Sequence, residues 1–357
     1  MNSFEPPSTF RLPAEWEPVD AILMAWPNKN TDWAYMLEDV RKTYIDIITA
    51  ISERAKVVLI GPELPETTIF PPNCRLDNLI MVNMPINDTW TRDYGPIIVV
   101  DADGTPMLQD FIFNGWGLKF AANHDNRVAE RLHSSQLLTG WYHGPAEIVL
   151  EGGSIESDGK GTILTTEHCL LAPNRNDALD QYEIETKLLE QLGAKKILWL
   201  KHGQLAGDDT DGHIDTLARI APPGDIIIYT GCDDPADEHF AELEAMRDEL
   251  KEMTNAIGAP FHLVELPLPD PIYDPDDGTR LPATYANYLI VNGAVLMPAY
   301  GQPKKDKLAA MILESAMPEY EIIPIDCRSL IRQHGSLHCA TMQIPLGVLS
   351  DDYETNN

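Results

Sequence analysis

The feature that most narrows what this 357-residue chain can fold into is a recurrence. Five times, a helical periodicity is followed by a short strand-like run. The helical segments span residues 32–54, 123–138, 178–192, 235–257 and 304–317; the strand-like runs span 56–60, 147–150, 196–200, 261–266 and 321–325. In the first unit Met36, Val40, Ile47 and Ile51 recur at helical spacing. Val57-Val58-Leu59-Ile60 is too short for a helix and is stopped by Gly61-Pro62, so it reads as a buried strand. Further short strands are expected at 97–100, 161–165, 226–229, 288–291 and 294–298. The units follow one another at intervals of several tens of residues, a period that suggests repetition around an axis. Their sequences are not visibly alike, so the repetition is one of pattern. An ordinary doubly wound sheet is the competing arrangement, and both are α/β. No long linker or low-complexity tract interrupts the chain, and residues 1–357 read as a single domain.

Hydrophobic residues make up 44% of the chain, enough for a sizeable core. Five cysteines, Cys74, Cys169, Cys232, Cys327 and Cys339, are scattered, with no C-x-x-C pair. That argues against a disulfide framework and a structural zinc site. The N-terminal stretch lacks the apolar run of an export signal, and no stretch is apolar enough for a membrane span, so a cytoplasmic location is expected. The formal charge of −30 makes nucleic acid and anionic membranes poor partners and favours a cationic small molecule. Most of the 56 carboxylates serve solubility on any reading. Self-association is left open by the sequence.

Four segments combine reactive side chains with turn-forming glycine. They are Asn87-Asp88-Thr89-Trp90-Thr91-Arg92-Asp93-Tyr94-Gly95-Pro96, Glu151-Gly152-Gly153-Ser154, Gly207-Asp208-Asp209-Thr210-Asp211-Gly212-His213-Ile214-Asp215 and His334-Gly335-Ser336-Leu337-His338-Cys339. Each alone has an ordinary reading. Asp and Gly build turns, Trp90 fits a core, and a lone cysteine is usually a small buried hydrophobe. The set is what carries information, because each segment abuts an expected strand end in a different unit.

Together the segments offer Asp93, Glu151, His213, Asp215 and Cys339. That set suits attack on a guanidinium group. A guanidinium presents its N–H groups as a fork that carboxylates bind in pairs. Its carbon is a poor electrophile, so the nucleophile must be strong at neutral pH, and a thiolate is. Asp93 and Asp215 would clamp the nitrogens, Cys339 would attack, and His213 would protonate departing ammonia and then activate water. Glu151 would touch the guanidinium or orient His213. His213 and Asp215 form an H-x-D pair whose side chains would share one face of a strand. No metal or cofactor is required. No G-x-G-x-x-G or G-x-x-x-x-G-K-[ST] loop is present, and the acidic run at 208–211 lacks the spacing of a calcium loop.

The stretches D-T-W-T-R-D-Y-G-P at 88–96, E-G-G at 151–153, D-D-T-D-G-H-I-D at 208–215 and H-C-A-T-M-Q-I-P at 338–345 resemble the agmatine deiminases. That family also holds the bacterial peptidyl-arginine deiminases, within the guanidino-modifying superfamily. The resemblance implies a five-bladed αβ propeller with pseudo-fivefold symmetry (a pentein) and a site on its axis. It also implies the roles given above for Cys339, His213, Asp93, Asp215 and Glu151, with Trp90, Trp116 and Asp211 as candidate contacts to the substrate's alkyl chain and far ammonium. The ordinary alternatives are that Trp116 is core and Asp211 caps the turn before Gly212. One departure stands out: many agmatine deiminases resemble G-G-G-N-I-H-C-I-T-Q-Q where this chain has H-G-S-L-H-C-A-T-M-Q.

The leading expectation is hydrolysis of agmatine to N-carbamoylputrescine and ammonia through a covalent amidino-cysteine. Deimination of peptidyl or free arginine, and amidino transfer to an amine, share the same chemistry. A metal-dependent hydrolase built on Asp208, Asp209, Asp211 and His213, and a non-catalytic guanidino-compound binder, are readings of other classes.

Overall fold

The computed structural model describes residues 10–350. Among them, the strands gather into five separate sheets. Each sheet contains one three-stranded pattern. A first strand runs antiparallel to a second, and the second runs parallel to a third reached through a helical crossover. Parallel neighbours need such a crossover because the chain must return to the same end of the sheet.

The five sets in chain order are as follows. Ile97–Asp101, Pro106–Gln109 and Trp141–His143 form the first. Ile155–Ser157, Thr162–Thr166 and Lys196–Leu200 form the second. Ala218–Ala221, Ile226–Gly231 and His262–Pro267 form the third. Leu289–Val291, Ala294–Ala299 and Glu321–Asp326 form the fourth. The fifth joins the two ends of the chain: Met342–Pro345 lies antiparallel to Val19–Ala25, which is parallel to Lys56–Gly61.

The helix of each crossover covers its sheet with one apolar stripe. Leu37–Ser52 buries Val40, Tyr44, Ile47, Ile48 and Ile51. The parallel strands it spans, Val19–Ala25 and Lys56–Gly61, are nearly continuous apolar runs, as expected where both faces are covered. Gln181–Leu192 opens on a capping box, with Asp180 and Glu183 each accepting from the other's backbone N–H. It closes on Gly193 in the left-handed region. Among the described residues, no helix is long and apolar enough to cross a membrane.

Two expectations fail in detail. The helix expected at 123–138 is reduced to a 3-10 turn at Asp125–Arg127 and the helix Val128–Ser134, ending where Gln136 turns left-handed. The run at 147–150 is not a strand of the first sheet; Trp141–His143 takes that place. Ile148, Val149 and Leu150 are buried, but they make only a single bridge from Val149 to Ile112, with Asn176 bonding both polar groups of Val149. An apolar run reports burial and leaves its hydrogen-bonding partner unspecified.

Candidate active site

In four of the five sets, the turn just before the antiparallel strand carries one of the reactive segments. Asp93 lies in the one-turn helix Thr91–Tyr94, ahead of Ile97–Asp101. Glu151 caps the 3-10 turn Gly152–Ser154, ahead of Ile155–Ser157. His213 caps the 3-10 turn Ile214–Thr216 that contains Asp215, ahead of Ala218–Ala221. Cys339 precedes Met342–Pro345. The H-x-D pair therefore sits on a tight turn rather than on the expected strand. The turn is built by its own acids: Asp208 accepts from the backbone N–H of Thr210 at 3.0 Å and of Gly212 at 2.6 Å. Asp211 and Gly212 then take positive φ.

The reactive groups converge on Gly153. A methyl group at that position would stand 2.7 Å from Asp93 Oδ1, 2.7 Å from His213 Nδ1 and 3.1 Å from Asp215 Oδ2. Asp93 is held from both sides, accepting from the Gly153 backbone N–H at 3.0 Å and from the Trp116 indole at 2.9 Å. His213 is fully buried, with Nδ1 3.5 Å from Asp93 and Nε2 3.8 Å from Glu151. Neither ring nitrogen has a hydrogen-bond partner. The Cys339 thiol lies 3.7 Å from Asp215 Oδ2.

Burial dominates the acid–base character of these groups. It pushes the Cys339 thiol well above its ordinary range, and Asp215 and Asp93 push it further. Burial and Asp215 raise Asp93 to about 6 against the pull of His213. For His213, burial opposes the charged form, but Asp93, Cys169 and Glu151 prevail and hold the imidazolium. Burial likewise opposes ionisation of Asp215 and Glu151, yet both are lowered, Asp215 chiefly by His338 and Glu151 by His213 and Arg175. The resting site thus pairs a protonated thiol with carboxylates awaiting a cation.

A cavity opens onto Cys339. Trp90, Trp116 and Phe120 form apolar walls, Asp93 and Cys339 lie at its inner end, and Asp32, Asp88, Asp209, Thr210, Gln333, His334 and Gly335 complete it. Its lining contains no Lys or Arg. Trp116 is both buried and a cavity wall, so the two readings of it coincide.

Four candidates lie outside its lining: His213 and Asp215, both 0% exposed, and Asp211 and Glu151. Asp211 does not line this cavity; its oxygens are taken by Lys119 at 2.8 Å and Arg175 at 2.6 Å. A side chain already serving two cations has little left for a ligand's ammonium. Glu151 also lies outside the lining, behind His213, with both oxygens 3.0 Å from Arg175 Nε. That placement suits orientation of His213 rather than contact with a guanidinium. The acidic run does not assemble as a metal centre either, because Asp208 is used in its own turn and Asp211 on cations. Among the described residues, the His/Cys/Asp/Glu group close enough to share an ion is Glu151, Cys169 and His213, and Arg175 already neutralises its carboxylate.

Sequence reasoning missed Asn287. It precedes Leu289–Val291, the antiparallel strand of the remaining set. Its Nδ2 lies 3.3 Å from the Cys339 sulfur, and its Oδ1 accepts from the backbone N–H of His338 at 2.9 Å. The repeat itself was the available signal, since every other set places a polar residue in that turn. Arg175, Glu15 and His338 were also missed as supports.

The sequence matches the family model of the Porphyromonas-type peptidyl-arginine deiminases over residues 11–345. The chain belongs to this family. Relatives of this deiminase family include a Marinomonas sp. (strain MWYL1) protein named "Putative agmatine deiminase", 34% identical with 94% of each chain covered. A solved structure from Porphyromonas gingivalis, named "Putative Arginine Deiminase", is 46% identical with a TM-score of 0.88, covering 96% of this chain and 100% of that one. A serine-for-cysteine variant of C. jejuni agmatine deiminase with substrate bound is 37% identical with a TM-score of 0.86, covering 98% and 100%.

Proposed function

We propose that this protein is an agmatine deiminase of the cytoplasm, a single domain whose five sheets form the blades of a pentein propeller with the site at its axis. The observation that carries the reading is a cavity that ends at Cys339 and Asp93, with Asp215 3.7 Å from the thiol, and is lined by acids without a single Lys or Arg. Free arginine would bring an α-carboxylate into that field, which offers no Lys or Arg to receive it. Agmatine brings a second positive charge instead, and Asp32, Asp88 and Asp209 suit it. The names of the relatives support deimination: the curated relatives and a substrate-bound structure are named for agmatine, and the family model and two structures at 43% and 46% identity for peptidyl-arginine or arginine.

The guanidinium fits between Asp93 and Asp215, cancelling the two charges that keep Cys339 protonated. Thiolate is thereby favoured only when substrate is present, the thiol proton passing to solvent as the guanidinium binds. The sulfur attacks the guanidinium carbon. The tetrahedral adduct collapses as the His213 imidazolium gives its proton to the leaving nitrogen, and ammonia departs. Water then adds to the amidino-cysteine carbon while neutral His213 takes its proton. Loss of the thiolate releases N-carbamoylputrescine. Positioning is a large part of the work, because the carbon must be held near attack distance.

Incubation with agmatine, free arginine and an arginyl peptide, followed by a ureido assay, tests the substrate. Turnover should be greatest with agmatine; turnover of arginine or peptide without agmatine would overturn the assignment. Mass spectrometry of enzyme quenched during turnover should show an amidino adduct on the Cys339 peptide.

A further inference from the structure

Behind Asp215 lies a buried chain of polar groups that touches neither the cavity nor the thiol. His338 Nδ1 is 2.7 Å from Asp215 Oδ2, and its Nε2 is 2.6 Å from Glu15 Oε2. His338 is 1% exposed, Asp215 0% and Glu15 8%, so all three are buried. A neutral imidazole carries one N–H and one lone pair, so one of these carboxylates would face a lone pair at hydrogen-bond distance. The ring with both protons satisfies both carboxylates, whereas the neutral ring protonated at Nδ1 would leave Nε2 to accept from Arg219 Nη2, 3.0 Å away. Arg219 approaches the same Glu15 oxygen at 3.0 Å and Arg92 approaches it at 3.4 Å, which holds Glu15 as an anion. Glu15 is lowered accordingly, with burial opposing and His338, Arg219 and Arg92 outweighing it.

The contact also sorts the two oxygens of Asp215. Oδ2 faces the His338 ring at 2.7 Å and the Cys339 sulfur at 3.7 Å, whereas Oδ1 is buried with no partner. An unpartnered carboxylate oxygen in a dry site is costly unless something else completes it.

We propose that His338, anchored by Glu15, is a positioning residue that fixes the Asp215 carboxylate in charge and orientation, leaving Oδ1 for the guanidinium of the substrate. The proposal rests on the deiminase reading for its substrate. It assigns work to the His preceding the nucleophile and to a glutamate from the N-terminal segment, 323 residues away from that ring. Other charged groups also face this chain. Asp93, His213 and Cys339 lie on its cavity side. Arg92, Arg219 and Glu156 lie on the far side, with the Tyr288 ring under Arg219. None of these is changed by the variants that test the idea.

The experiment compares pH profiles of kcat/KM for wild type, His338→Asn and Glu15→Gln. Asn keeps a neutral N–H donor near the place of Nδ1 and removes the charge. Without the imidazolium, Asp215 protonates more readily, so the acid limb should move to higher pH by about 1–3 units in His338→Asn. Glu15→Gln should move it the same way by less. KM should rise on the acid side, and raising the pH should recover activity. A merely structural role would lower kcat/KM equally at every pH, leaving the limb in place, and that result overturns the proposal. Thermal unfolding of both variants gives the folded fraction. If His338→Asn fails to fold, Glu15→Gln alone decides. Wild-type turnover of agmatine is the separate check of the functional reading. Should another guanidino compound be the substrate, the limb is read with that compound; should nothing turn over, it is read from the pH dependence of agmatine binding.

Discussion

At the residue scale, the proposed mechanism has Cys339 held in a state that it must leave in order to react. Burial, Asp215 and Asp93 favour the thiol, and only a cation between the carboxylates reverses that preference. Asn287, whose Nδ2 faces the sulfur, is the neutral group placed to stabilise the thiolate once formed. Asn287→Ala should lower kcat/KM by about 10–100-fold, the worth of one hydrogen bond to a charged group. Steady-state kinetics checks this, and unchanged kinetics would remove Asn287 from the mechanism. The rate should be bell-shaped in pH. Asp93 must be ionised to hold substrate, so activity falls as pH drops through about 6. His213 must carry its proton to release ammonia, and its raised affinity places the other limb on the alkaline side. Both limbs belong to coupled groups rather than to single residues. A flat profile from mildly acid to alkaline pH contradicts these roles.

At the element scale, the same short turn before an antiparallel strand serves in every set, and its tightness matters. Gly153 lets three reactive groups crowd one backbone position. Gly153→Ala would place a methyl group 2.7 Å from both Asp93 and His213. Overpacking of this kind costs about 1–3 kcal/mol, and the displaced groups should cost activity beyond that. A variant with wild-type kcat/KM would show that the convergence at Gly153 has no part in catalysis. The outer helices make the contrast. Asp180→Ala removes the cap of Gln181–Leu192 and should cost about 1 kcal/mol in denaturant unfolding while leaving kcat intact.

At the scale of the whole molecule, the charge of −30 surrounds an acid-lined cavity. Such a field attracts cations and is screened by salt. Raising ionic strength from about 10 to about 500 mM, where the Debye length shrinks from about 30 Å to a few Å, should lower kcat/KM for agmatine severalfold. An alkylguanidine without the second ammonium should respond less. Equal salt dependence of the two would remove the acid field from substrate capture.

Much of this was legible in the chain. Periodicity marked four of the five helix–strand units and misplaced the strand of the one at 123–150, because a helix or strand declares its buried face locally but not its partner. The pairing of Cys, His and carboxylates in turn segments declared the chemistry, because a guanidinium carbon demands that kind of nucleophile and that kind of clamp. The rest depended on which turns meet. In sequence Asp211 reads as a contact for the substrate's far end and Asp208 as part of a metal alternative, yet the fold gives Asp211 to Lys119 and Arg175 and Asp208 to its own turn. Glu151 stands behind His213 because Arg175 holds it there. Asn287 and His338 acquire their partners only when strands far apart in the chain fall into register. A side chain's type is written at its own position, whereas its partners are set by packing across the molecule, so the sequence determined the reaction and the tertiary structure decided how each residue serves it.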